Sequence, residues 1–123
     1  MMRRLAVSFL LSFLSAGCST IAHPPTEAMP VKQMRVNGVD LAYVEEGKGA
    51  TVVFVHPTAG DWRDWEGLRP LVAEEYHLVS LSLRYHYPNV WVDDGKNYTM
   101  AQHVEDVAAF IRALNVGKVP SRG

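Results

Sequence analysis

The chain has 123 residues, 48% hydrophobic and 20% charged, with 12 basic side chains against 13 acidic ones. These figures suit a single globular domain and exclude a collagen-like, coiled-coil or disordered chain. The charge balance leaves no electrostatic footprint for nucleic acid, and one Cys excludes a disulfide framework or a multi-cysteine metal cluster.

Met1 to Arg4 carries two Arg, and Leu5 to Ala16 follows without a charge. That run is shorter than the roughly 20 apolar residues a membrane span needs. With the small residues Ser15, Ala16 and Gly17 behind it, the pattern reads as a secretory signal over residues 1–17. Cys18 comes next, so the block resembles the bacterial lipoprotein signal, in which cleavage precedes a Cys that receives lipid. Leu14 stands four residues before the Cys, where that signal usually has Leu three before. The resemblance implies export, lipid on Cys18, and membrane attachment through that lipid. Ser19 in place of Asp implies the outer membrane, with the periplasm as the other destination. An ordinary signal or an uncleaved anchor is the plainer reading. Residues 18–30, with Pro24, Pro25 and Pro30, read as a linker.

The next elements are predicted from pattern. Val31–Val36 and Val39–Glu45 flank Asn37-Gly38, the strongest short hairpin signal. Thr51–Val55 is an apolar, β-branched run without alternation, which predicts a strand covered on both faces. Asp61–Glu75 is predicted to be a helix presenting Trp65, Leu68, Leu71 and Val72, with Asp61 or Asp64 as its cap. Leu78–Leu83 reads as a second buried strand, and residues 84–98 as a loop. Met100–Leu114 reads as a helix with a stripe of Met100, Val104, Val107, Ala108, Ile111 and Leu114, opened by a Thr99/Gln102 capping box. Hairpin, strand, helix, strand, helix argues an α/β fold with a partly parallel sheet.

Val53-Phe54-Val55-His56-Pro57-Thr58-Ala59-Gly60-Asp61-Trp62 resembles the α/β-hydrolase segment after the third strand, where His-Gly usually stands. Ser80-Leu81-Ser82-Leu83-Arg84-Tyr85 resembles the end of that family's fourth strand. The likeness covers about residues 31–118, leaving 119–123 as a tail. It implies an incomplete α/β-hydrolase sheet: the N-terminal hairpin plus two buried parallel-type strands, with two helices. Pro57 departs from the family's Gly, since Pro lacks an N–H and fixes φ. The family's nucleophile elbow, Gly-x-Ser-x-Gly, belongs on the strand after Gly117. Ser121 has no Gly two residues before it, and no elbow is present.

The expectation is therefore the N-terminal portion of an exported hydrolase, itself inactive. The whole enzyme would open an ester, amide, epoxide or carbon–halogen bond of a small-molecule substrate through a covalent nucleophile. By resemblance, the Thr58 amide supplies half of an oxyanion hole. His56 and Pro57 are expected to shape the loop, and Trp62 and Asp61 are the substrate-pocket candidates. Among the other aromatics, Trp65, Tyr85, Tyr87 and Trp91 are weighed as pocket lining against plain packing. No cofactor is expected, and no metal: His86, Asp93, Asp94 and His103 match no zinc spacing. Glu105 and Asp106 are read as a solvated helix face. By resemblance the strand Thr51–Val55 pairs with a fifth strand, so its edge is expected to be open to β-pairing. The alternatives are a non-catalytic envelope lipoprotein that binds a partner or small ligand, and a remnant without function.

Overall fold

The computed structural model describes Gly17 and residues 28–114. Residues 1–16 of the signal, Cys18, most of the linker and Ser121 lie outside the described residues. Four strands form one sheet in the order β1-β2-β4-β3. They are β1 (Lys32–Val36), β2 (Val39–Glu46), β3 (Thr51–Val55) and β4 (His77–Leu81). β1 and β2 are the predicted hairpin. Asn37 and Gly38 both have positive φ, 46° and 79°, as a two-residue type I′ turn requires. β4 runs antiparallel to β2 and parallel to β3, so the mixed α/β sheet is as expected.

Burial follows position in the sheet. β4, between two neighbours, is buried at Leu78, Val79, Ser80 and Leu81. β3 is half-buried along its length and exposed at Val55. Two-sided burial of β3 was the expectation. The apolar run is there, but β3 is the edge strand among the described residues, so part of its surface meets solvent.

The segment after β3 is not one helix. A 3₁₀ turn spans Trp62–Trp65 and a separate short helix, α1, spans Arg69–Ala73. Pro70 stands at the start of α1. It has no N–H, and its ring opposes the carbonyl four residues back, so it opens a helix but does not continue one. The supposed apolar face breaks with it: Leu68 is 46% and Leu71 67% exposed. Phe54 and Trp65 pack with ring centroids 5.1 Å apart.

The second helix, α2 (Met100–Ala113), matches its prediction. The Thr99 hydroxyl accepts from the Gln102 amide at 3.1 Å, the N-cap half of a capping box. The return half is missing, because the Gln102 side chain donates to Asp106 at 2.9 Å instead. What α2 buries fully is Phe110 and Asp106. Phe110 meets Tyr43 edge-on at 5.2 Å and joins Val36, Val39, Leu41, Val79, Leu81 and Leu83 in the core. Met100, Val104 and Ile111 of the predicted stripe are exposed.

Side chains alternate along a strand. Val79, Leu81 and Leu83 face the α2 side, in the core with Phe110. Ser80 and Ser82 face the 3₁₀ turn and hydrogen-bond its Trp62 backbone.

Asp106 corrects the solvated-face expectation. It is fully buried, and both its oxygens take the Arg84 guanidinium, at 2.7 and 2.9 Å. Asn37 and Gln102 donate to it as well, each at 2.9 Å. Burial would raise its pKa, but the hydrogen bonds from Arg84, Asn37 and Gln102 outweigh that and hold it below the usual carboxylate value. One buried pair thus ties the hairpin turn, the loop after β4 and α2 together.

Candidate functional site

The loop after β3 is built around His56. This ring is buried, and its Nε2 accepts from the Leu83 amide at 2.9 Å. An amide only donates, so the proton of the neutral ring sits on Nδ1 and is donated to the Pro57 carbonyl at 2.8 Å. The same carbonyl accepts from the Gly60 amide at 2.9 Å, closing the turn. Both ring nitrogens are therefore committed to backbone, which suits loop-shaping and not general base chemistry. The lost amide at Pro57 is not needed here, since its carbonyl does the bonding.

Thr58 sits at the exposed crest of this turn. Its carbonyl faces His86 Nε2 at 2.8 Å. Its amide has no acceptor among the described residues.

Beside it lies an apolar trough of about 550 Å³. One wall is Val55 to Thr58. The other is Met100, His103, Val104 and Val107 of α2, with Leu83, His86 and Tyr98 between. Three imidazoles meet there. His56 and His86 are 4.6 Å apart, His86 and His103 5.8 Å. Among the described residues, no group of three His, Cys, Asp or Glu side chains converges to hold a metal.

Asp61 and Trp62 stand apart from this trough. Asp61 accepts from the Arg63 amide at 2.9 Å and grips its guanidinium at 2.8 and 2.7 Å. That side-chain bond, against some burial, holds its pKa low. It caps the 3₁₀ turn, as one of the two predicted capping residues. The Trp62 carbonyl accepts from the Ser80 hydroxyl at 2.9 Å, and its amide donates to Ser82 Oγ at 3.1 Å. These bonds put the Trp62 backbone against the sheet face opposite α2. Trp65, Tyr85, Tyr87 and Trp91 do not line the trough; Tyr98 does. Ser80 and Ser82 are buried against Trp62: the Ser80 hydroxyl donates to its carbonyl, and Ser82 Oγ accepts from its amide.

The predicted loop after β4 carries the strain. Leu83 to His86 is a turn closed by the His86 amide on the Leu83 carbonyl at 3.1 Å. Tyr85 adopts φ 66°, a left-handed conformation unusual for a bulky residue. Its hydroxyl donates to Asp93 at 2.6 Å and its ring packs on Trp91, which hold it there.

A pH dependence arises here. Burial lowers the pKa of both His56 and His103, and outweighs the opposing hydrogen bond of His56 to the Pro57 carbonyl. Their folded pKa values lie below the unfolded value of about 6.5. The unfolded chain therefore takes up more protons between the two, and stability that is full above about pH 6.5 is lost as pH falls. Urea midpoints should drop on acidification from about pH 7 to 5. H103F should drop less over the same interval; an equal drop would remove His103 from the account.

Comparison with solved structures places this arrangement. The chain is similar to the epoxide hydrolase VrEH1 from Vigna radiata, with a TM-score of 0.68 and 27% identity, covering 74% of this chain and 30% of that one. It is also similar to a mutant of an epoxide hydrolase from Bacillus megaterium, with a TM-score of 0.64 and 26% identity, covering 68% and 30%. The epoxide hydrolase CorEH, at 22% identity and a TM-score of 0.65, agrees in fold. No protein-family profile matches the chain, and no curated protein matches it. The described residues form part of an α/β-hydrolase fold. The chain spans about 30% of the length of the enzymes it resembles.

Proposed function

We propose that this chain is the N-terminal portion of an exported α/β-hydrolase, and that it contributes the Thr58 amide as one oxyanion donor. The carrying observation is that this amide lacks an acceptor among the described residues while its own carbonyl and the His56 turn are fixed. A fixed, unspent N–H beside an apolar trough is what a developing oxyanion needs, because the donor is already oriented when charge appears. The nucleophile, its orienting acid and its base would be supplied from outside the described residues, on a strand added to the open edge of β3. Epoxide opening is the favoured chemistry, since the similar structures are epoxide hydrolases. Ester, amide and carbon–halogen hydrolysis are the other bonds within reach of a covalent nucleophile. The Arg-led apolar N-terminus supports export, with Cys18 as the lipidation site and residues 18–30 as the tether.

The apolar trough favours a second reading, a non-catalytic envelope lipoprotein that holds a small apolar ligand there. A chimera separates the two. Residues 31–114 replace the corresponding part of the Vigna radiata epoxide hydrolase, and turnover of an epoxide is measured. The hydrolase reading expects T58A to retain kcat and T58P, which removes the N–H, to lose about 10²–10³-fold. Equal rates for T58A and T58P would defeat it.

A further inference from the structure

The loop between β4 and α2 exposes an apolar run that neither reading of the trough uses. Val90, Trp91 and Val92 are consecutive and 81%, 57% and 58% exposed, with Tyr87 close in sequence at 60%. Three exposed apolar residues in a row are unfavourable in water unless something covers them. This run is held out, not left loose. At its base, the Asn89 side chain donates to the Ser82 and Leu83 carbonyls at 2.9 and 3.0 Å and accepts from the Ala42 amide at 2.7 Å. Left-handed Tyr85 braces the other side. Its carbonyl accepts the Trp91 indole N–H at 3.1 Å, and its hydroxyl donates to Asp93 at 2.6 Å. With that N–H bonded inside, the exposed part of the indole is hydrocarbon. The strained residue thus fixes the run outward.

We propose that Tyr87 and Val90–Val92 form a membrane-contact loop that enters the interface of a zwitterionic bilayer. The proposal rests on the export reading, with the loop as a second contact beside the N-terminal anchor. The charges around the run nearly balance. Asp61 holds Arg63, whose guanidinium lies 4.2 Å from the Tyr87 ring centre. Asp93 is turned inward onto Tyr85, Gly95 and Asn97. Exposed Asp94 and Lys96 are one of each sign. The four apolar side chains offer roughly 400 Å², about half of what each partner gives to a stable protein interface. A bilayer sets no such minimum, and its interface takes aromatic rings at headgroup depth. The chain from Cys18 to Lys32 spans at most about 45 Å, so lipid on Cys18 would keep the loop within reach of the same membrane.

The test uses the full chain and vesicles of phosphatidylethanolamine and phosphatidylcholine with brominated acyl chains, which quench indole emission at short range. Pelleting with vesicles is not the readout, because the apolar N-terminus can hold the chain there by itself. The chain has three Trp, so about a third of the emission should be lost relative to unbrominated vesicles. The loss should be equal in low and high salt, because no net attraction draws the loop to the lipid. W91F should remove the quenchable part. V90D/V92D should abolish quenching while the far-ultraviolet spectrum is kept. Unquenched wild-type emission overturns the proposal and leaves the run to a protein surface. Equal quenching in either variant, or quenching that salt abolishes, overturns it too. So does an emission shift that grows with protein concentration without vesicles and is absent from W91F, which assigns the run to a second copy. The export reading fails separately: a Cys18 that takes up no labelled fatty acid in expressing bacterial cells, with Trp91 still quenched on vesicles, removes the anchor and keeps the loop.

Discussion

D106A is expected to cost about 3–5 kcal/mol of folding stability, the range for breaking a buried ion pair from one side. The reason is what remains. Arg84 is 5% exposed and holds two of its bonds on Asp106. Without the carboxylate its charge stays buried, and the Asn37 and Gln102 amides lose an acceptor too. D106N keeps the shape and one acceptor oxygen but removes the charge, so it should fall between wild type and D106A. Replacing both partners at once, R84M with D106L, should cost less than either single change, because no charge is left stranded. Urea unfolding of the four chains gives the cycle. Additive single losses would mean that the pair is not coupled.

The pair also sets an acid limit. The folded pKa of Asp106 is depressed, so its contribution is present above the unfolded value of about 3.9 and is lost as pH falls through the folded one. This loss lies well below the histidine window, and the two steps should separate in an acid titration followed by circular dichroism.

V55K is expected to weaken self-association by at least about tenfold, or about 1.4 kcal/mol. β3 ends the sheet among the described residues, with an apolar sequence and Val55 40% exposed. An open apolar edge is a template for another strand, and a lysine there must be desolvated before pairing. The wild-type chain should scatter light increasingly with concentration and bind an amyloid-type dye, and V55K should do less of both. A monodisperse wild-type monomer at every concentration would remove the open edge from the account.

The elements set by local rules were readable in advance. Asn37-Gly38 could only turn one way between two β-type runs, and Thr99 ahead of an apolar-periodic segment started α2. The failures came where a nearby residue or a distant partner decided. Pro70 split the predicted helix, and its missing N–H was visible in the sequence. Asp106 looked like solvated charge beside Glu105, yet it stands four residues before Phe110 on the buried side of α2. A carboxylate on that side demands a cation, and Arg84 is 22 residues away. Sheet order alone brings the two together. The same holds for the site. The place of His56 at the end of a strand was legible as a loop-shaping one, whereas the donor role of Thr58 comes from the family resemblance alone. His86 was not legible, because its bonding partners are two carbonyls, one of them 28 residues distant. Asp61 and Trp62, close to Thr58 in sequence, turn to the other side of the turn and the sheet.

We propose that this fold presents the Thr58 loop and an open β3 edge to a nucleophile-bearing strand. The most direct measurement is the nucleotide sequence following the codon for Gly123. The expected result, in one reading frame or another, is an apolar strand ending in a Gly-x-nucleophile-x-Gly turn, with an acid and a His further on. A downstream sequence with no such strand or turn in any frame would contradict it.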